Sequence, residues 1–184
     1  MMLRLIDDVN KALDAECYYS ALALVLTFPD ICGKAEYPQK KTTKRYIDWY
    51  DEHIGKYEQC PCEESQNISL PYLSGEVVYS LRNSLLHQGN PNIEADRIKD
   101  NNNKIDCFEL IIETKKPFDI YGDAAGIYGG GKKAYRVNVR RLCLIISATT
   151  RGYYEANQDK FDFFNYSIID WDYEVDRLHN NKIH

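Results

Sequence analysis

The chain lacks a long hydrophobic run. Its longest apolar stretch, Ala21 to Leu26, is far shorter than the about 20 residues a membrane-crossing helix needs, so no membrane partner is expected. It also lacks an excess of positive charge. A net charge of −5 argues against a basic footprint over the whole surface, and any nucleic-acid contact would be local. No secretory leader is expected either, since Met1 to Asn10 carries Arg4, Asp7 and Asp8. The six cysteines are therefore expected as reduced, mostly buried thiols in a cytoplasmic protein. Cys60-Pro61-Cys62 has neither the two intervening residues nor the partner pair of a zinc knuckle, and no metal is expected. Cofactor fingerprints are absent too. Gly126 to Lys133 sets glycines beside lysines without the Walker spacing, so it reads as a hairpin tip and no cofactor is expected.

Tyrosine is plentiful, at fifteen against two Trp and six Phe, which suits half-buried and stacking surfaces. Leu5, Ile6, Val9, Leu13 and Cys17 recur at helical spacing, and the pattern runs on through Tyr18 to Phe28, where Pro29-Asp30 breaks or kinks it. Thr42 or Thr43 can cap a second helix with Tyr46, Ile47, Trp49, Tyr50 and Ile54 on its apolar side. After Pro91, asparagines including Asn101-Asn102-Asn103 read as a linker. Ile105 to Glu113 and Ala134 to Val139 alternate as strands, and an antiparallel hairpin with a long connection is expected, with a further short strand at Phe118 to Tyr121. Asn138 can cap a further helix through Tyr153, and Glu155 to Arg177 reads as a partly irregular segment or helix that closes the bundle. The expected fold class is mainly α: one domain over 1–184, a helical bundle with an inserted β-hairpin at about 105–139, α+β overall.

The segment Leu70 to Pro91 organises the rest. Leu73, Val77, Leu81 and Leu85 recur every fourth residue with Val78 beside them, predicting a helix that Gly89 and Pro91 terminate. Arg82, Asn83 and His87 cluster near its end. Asn83 and His87 share a face, whereas Arg82 and His87 point about 140° apart on a straight helix. The long Arg side chain, a distorted last turn or a second copy of the helix could close that gap. His87 also sits where the helix dipole favours positive charge, a setting for a proton donor. The alternative assigns Arg82 to a surface charge and His87 to a helix C-cap.

Arg82-Asn83-Ser84-Leu85-Leu86-His87 resembles the signature of the HEPN superfamily of small helical domains: Arg, usually a polar residue, then His after four to six intervening positions. The resemblance covers the helical regions and not the inserted strands. It implies a homodimer in which two copies of the motif line one cleft. It further implies a metal-independent endoribonuclease, of the kind used in RNA processing, toxins or defence, with Arg82, Asn83 and His87 as catalytic residues. The alternative within the family is a non-catalytic module that binds RNA, a nucleotide or a partner protein. Gly89 stands where one subgroup carries a regulatory Tyr, which sets this chain apart from that subgroup. Ala124 to Tyr154 holds six basic and no acidic residues, so Lys132, Lys133, Arg136, Arg140 and Arg141 are the candidate RNA-binding set.

Overall fold

Met2, Ile6, Val9 and Leu13 fall on one side of a helix, and α1 (Met2–Asp14) buries all four. The computed structural model describes residues 1–59, 70–112, 122–164 and 171–180. The helical pattern from Leu5 to Phe28 is broken twice rather than continuous. At the first break Glu16 adopts φ 58° and Cys17 N–H turns back to Ala12 O at 2.7 Å. The chain then restarts as α2 (Tyr18–Val25). At the second, Thr27 Oγ1 donates to Leu24 O at 2.7 Å, ahead of α3 (Phe28–Glu36). Pro29 lies in the first turn of α3, where a missing N–H costs no hydrogen bond.

The aromatic residues of α4 (Thr42–His53) fill the centre, with Tyr46, Trp49 and Tyr50 fully buried. Two glycines let neighbouring helices approach α4 closely. A Cβ on Gly33 would lie 2.6 Å from Arg45 O, and one on Gly75 would lie 2.7 Å from Ile47 O. The second contact seats α5 (Gly75–Gln88) against α4. Asn138 caps α6 (Val139–Ala156) by accepting from Arg141 N–H at 3.0 Å, as its position suggests. Helix α6 packs across α1, α2 and α3 and closes the bundle. A short 3-10 helix, Gln158–Phe164, adds buried Phe161 and Phe164, and α7 (Trp171–Asn180) ends the described chain.

Strands β1 (Cys107–Ile111), β2 (Ala124–Tyr128) and β3 (Lys132–Asn138) form one sheet in the order β1-β3-β2. The pairing corrects the expected hairpin. β1 runs parallel to β3, with Phe108 opposite Tyr135 and Leu110 opposite Val137. The antiparallel hairpin is β2–β3, turning through Gly129 to Gly131 with φ of 82° at Gly130 and 79° at Gly131. Alternation identifies the residues that share a face, not the direction of the neighbouring strand. β2 itself, Ala-Ala-Gly-Ile-Tyr, is poor in strand-forming residues and gave no signal. The short strand expected at Phe118 to Tyr121, and Cys60-Pro61-Cys62, lie outside the described residues. The fold is thus mainly α with a small sheet. No described helix is long and apolar enough to cross a membrane.

Candidate functional site

Helix α5 is held at both ends. Ser74 caps its first turn by accepting from Val77 N–H at 3.4 Å, and Asp51 Oδ1 of α4 accepts from Gly75 N–H at 2.6 Å. Burial raises the Asp51 carboxyl above its ordinary range, and the Gly75 N–H works against that shift. At the other end Gly89 takes the left-handed conformation, φ 65°. Its N–H reaches Leu85 O at 3.0 Å, and Asn90 N–H reaches Ser84 O at 3.1 Å. The chain then folds back along α5. Glu94 N–H donates to fully buried Ser80 Oγ at 2.8 Å, Gln88 Nε2 donates to Glu94 Oε1 at 2.9 Å, and Lys99 N–H donates to Glu76 Oε2 at 2.7 Å.

These constraints place the three motif side chains in one hydrogen-bonded set. Arg82 Nη1 lies 2.9 Å from Asn83 Oδ1 and 3.1 Å from His87 Nε2. The reach of the arginine closes the angle that the backbone leaves open, within a regular last turn and a single chain. Asn83 is buried, Arg82 half-buried and His87 exposed. Arginine has no acceptor, so this contact requires a lone pair on His87 Nε2 and puts the neutral ring's proton on Nδ1. Arg82 Nε is buried without a hydrogen-bond partner, and Nη2 meets no acceptor among the described residues. The guanidinium is close enough to buried Tyr46 to oppose the strong upward push that burial gives that phenol. The arrangement therefore offers an imidazole, an amide and a partly unsatisfied guanidinium at one helix end.

Beside Asn83 opens a cavity of about 340 Å³. Thr43 and Ile47 of α4, Tyr79 and Asn83 of α5, and Arg97 and Lys99 of the returning segment line it. Thr43 Oγ1 and Tyr79 Oη are hydrogen-bonded at 2.8 Å, and the Tyr79 ring meets Tyr46 edge-on with centroids 5.1 Å apart.

The five basic residues read as an RNA-binding set do not form one surface. Arg140 is turned inward, 9% exposed, with Nη2 donating to Leu13 O at 3.0 Å and to Tyr18 Oη at 3.3 Å. It thereby ties the C-terminal end of α1, where the helix dipole favours a cation, to the start of α6. Arg141 is paired on both sides, with Glu58 at 2.8 Å and Asp123 at 2.7 Å. Arg136 pairs with Glu109, and Lys133 Nζ donates to Asn102 O. Lys132, Lys133 and Arg136 share a groove of about 540 Å³ with Asp106 and Glu109. Every acid that pairs with these arginines lies outside the acid-free stretch.

Two framework residues, one at the start of α5 and one at the start of α6, are not marked as such by the sequence. Asn103, taken as linker, is 1% exposed. Its amide donates to Tyr72 O and Ser74 Oγ, each at 3.0 Å, and accepts from Tyr72 N–H at 2.8 Å, locking the returning segment to the start of α5. Asp123 accepts from Asn138 N–H and Tyr135 Oη, each at 2.8 Å, besides its ion pair with Arg141. A run of three asparagines reads as linker from composition alone, so only the buried position of Asn103 reveals its role. No protein-family model, curated protein or solved structure matches this chain.

Proposed function

We propose that the chain is a HEPN-like endoribonuclease that cleaves RNA without a metal, as a homodimer, through Arg82, Asn83 and His87. The observation that carries this reading is the Arg82 Nη1 contact with His87 Nε2 at 3.1 Å and with Asn83 Oδ1 at 2.9 Å. A proton carrier and a rigid cation lie within one phosphate's width of each other. In the reaction a ribose 2′-oxygen bonds to the adjacent phosphorus, its proton leaves to a base, and the bond from phosphorus to the 5′-oxygen breaks as that oxygen gains a proton. An incoming phosphate draws Arg82 onto its own oxygens, which frees the Nε2 lone pair of His87 to take the 2′-proton. Arg82 then balances the charge that grows on the phosphate oxygens, and Asn83 holds the guanidinium in position. One chain supplies one such histidine. The second copy in a dimer supplies the proton for the leaving oxygen.

The test is an assay on several RNAs in the presence of a chelator, with product ends examined for a 2′,3′-cyclic phosphate. The intact protein should produce such ends, and His87→Ala should not. His87 is exposed, so its loss leaves no core cavity and the helical content should stay unchanged. A second reading has one observation in its favour. Leu86, beside the motif, is 37% exposed, which suits a contact with a second copy or a partner protein in a non-catalytic module. No cleavage by a protein that still dimerises would favour that module.

A further inference from the structure

We infer that the cavity beside Asn83 receives one unpaired base of the RNA, the base next to the phosphate held by Arg82, and prefers bases that carry an exocyclic amino group. This rests on the function proposed above and assigns it a specificity pocket. The pocket and the motif are continuous, because Asn83 is both a wall of the cavity and the hydrogen-bond partner of Arg82 at 2.9 Å. Size limits the occupant: about 340 Å³ is at the low end of ligand pockets, room for one base and its sugar.

The walls match a flat polar ring. Ile47 and the Tyr79 ring are the apolar surfaces, and Tyr79 is fixed by Thr43 at its hydroxyl and by Tyr46 at its edge, so the stacking surface is set before the ligand arrives. Two carboxylates, Glu76 and Asp96, also face the cavity. Glu76 Oε2 accepts from the N–H groups of Lys99 at 2.7 Å and Asp100 at 3.3 Å. Its Oε1 has no donor among the described residues and is left to accept from an amino group. An exocyclic amino group offers a carboxylate N–H donors, whereas the one edge donor of uracil, N3–H, lies between two carbonyl oxygens that a carboxylate repels, so the pair favours adenine, cytosine or guanine over uracil. Because the edge of a base is read only when it is unpaired, the substrate is single-stranded at this position. Arg97 and Lys99, both exposed at the rim, supply charge for the neighbouring phosphates, with Arg97 also paired to Glu94.

The experiment titrates the full chain with each of the four ribonucleoside 3′-monophosphates and follows backbone amide signals by NMR. Signals of Thr43, Tyr79, Asn83 and Lys99 should move, and uridine 3′-monophosphate should bind several-fold more weakly than the amino-bearing nucleotides. Ile47→Trp, which fills the cavity, should weaken binding by about tenfold. Ile47 also lies at the α4–α5 contact, so exposed Lys99→Glu provides a second variant that should weaken binding without disturbing the fold. The pocket is refuted if no nucleotide moves those signals, if uridine binds as well as the others, or if affinity is unchanged in the folded variants. Nucleotide binding without RNA cleavage would contradict the proposed reaction and leave the pocket standing. Cleavage that depends on His87 but is indifferent to Lys99→Glu and Ile47→Trp would do the reverse.

Discussion

The end of α5 and the start of α6 both carry arginines in a polar setting, yet they use them in opposite ways. At α6, Arg140 and Arg141 are bound to Leu13 O, Tyr18, Glu58 and Asp123, and their donors face the protein. At α5, Arg82 bonds only its motif neighbours and keeps Nη2 without an acceptor among the described residues. A cation whose hydrogen bonds all go inward is part of the frame, while one with donors left over can hold a ligand. Positive charge in the sequence marks both regions equally. Only the three-dimensional neighbours separate them.

That contrast can be broken by substitution. Between the two arginine regions the largest effect should come from Arg82→Ala, which ought to slow cleavage by about 10²–10³-fold in single-turnover assays, because charge is removed where the proposed transition state gains it. Asn83→Ala should be milder, since Asn83 positions the guanidinium. Arg140→Ala should act on stability instead, lowering the unfolding free energy by about 2–3 kcal/mol in urea titrations through loss of hydrogen bonds from a buried charge. A strong loss of cleavage in a still-folded Arg140 variant would erase the distinction between the two regions. Gly75→Ala tests the seat of the site: a methyl 2.7 Å from Ile47 O should cost about 1–3 kcal/mol and shift α5 against α4.

A smaller effect lies in a third region, where His53 packs against Trp49 and Tyr153 with centroids 5.0 and 5.2 Å away. Burial lowers its affinity for a proton below the ordinary value of 6.5, against Glu52 and Glu36, while Lys56 and Lys160 push the same way as burial. Glu36 is lowered too, first by its hydrogen bond from Lys160 and then by that from Tyr153. A folded value below the unfolded one gives stability that is present above the unfolded value and lost as pH falls. Thermal midpoints should therefore begin to drop below pH 6.5 and drop again below pH 4.5. His53→Gln should remove the first step, and a first step that survives it would assign the loss to another group.

Much of α5 was legible. Its stripe, its end at Gly89 and its polar cluster follow from spacing, as do the Asn138 cap and the aromatic side of α4. What was not legible depends on partners far along the chain. The break at Glu16 has no turn signature, and Arg140 reaches it from the other end of the sequence to bond Leu13 O. The parallel direction of β1 is invisible to a period of two. The acid-free stretch looked like a free cationic face because Glu58, Glu109 and Asp123 lie outside it. At the motif, backbone angles alone left three ways to unite Arg82 with His87, and side-chain reach selected one of them.

If Arg82 and His87 act as one unit, a double-mutant cycle on RNA cleavage will show it. Single-turnover rates would be measured for the intact protein, Arg82→Ala, His87→Ala and the double variant, with dimerisation and helical content checked for each. Strong non-additivity is expected, the double variant being little slower than His87→Ala alone. Losses that multiply independently, or a His87→Ala rate equal to that of the intact protein, would contradict it.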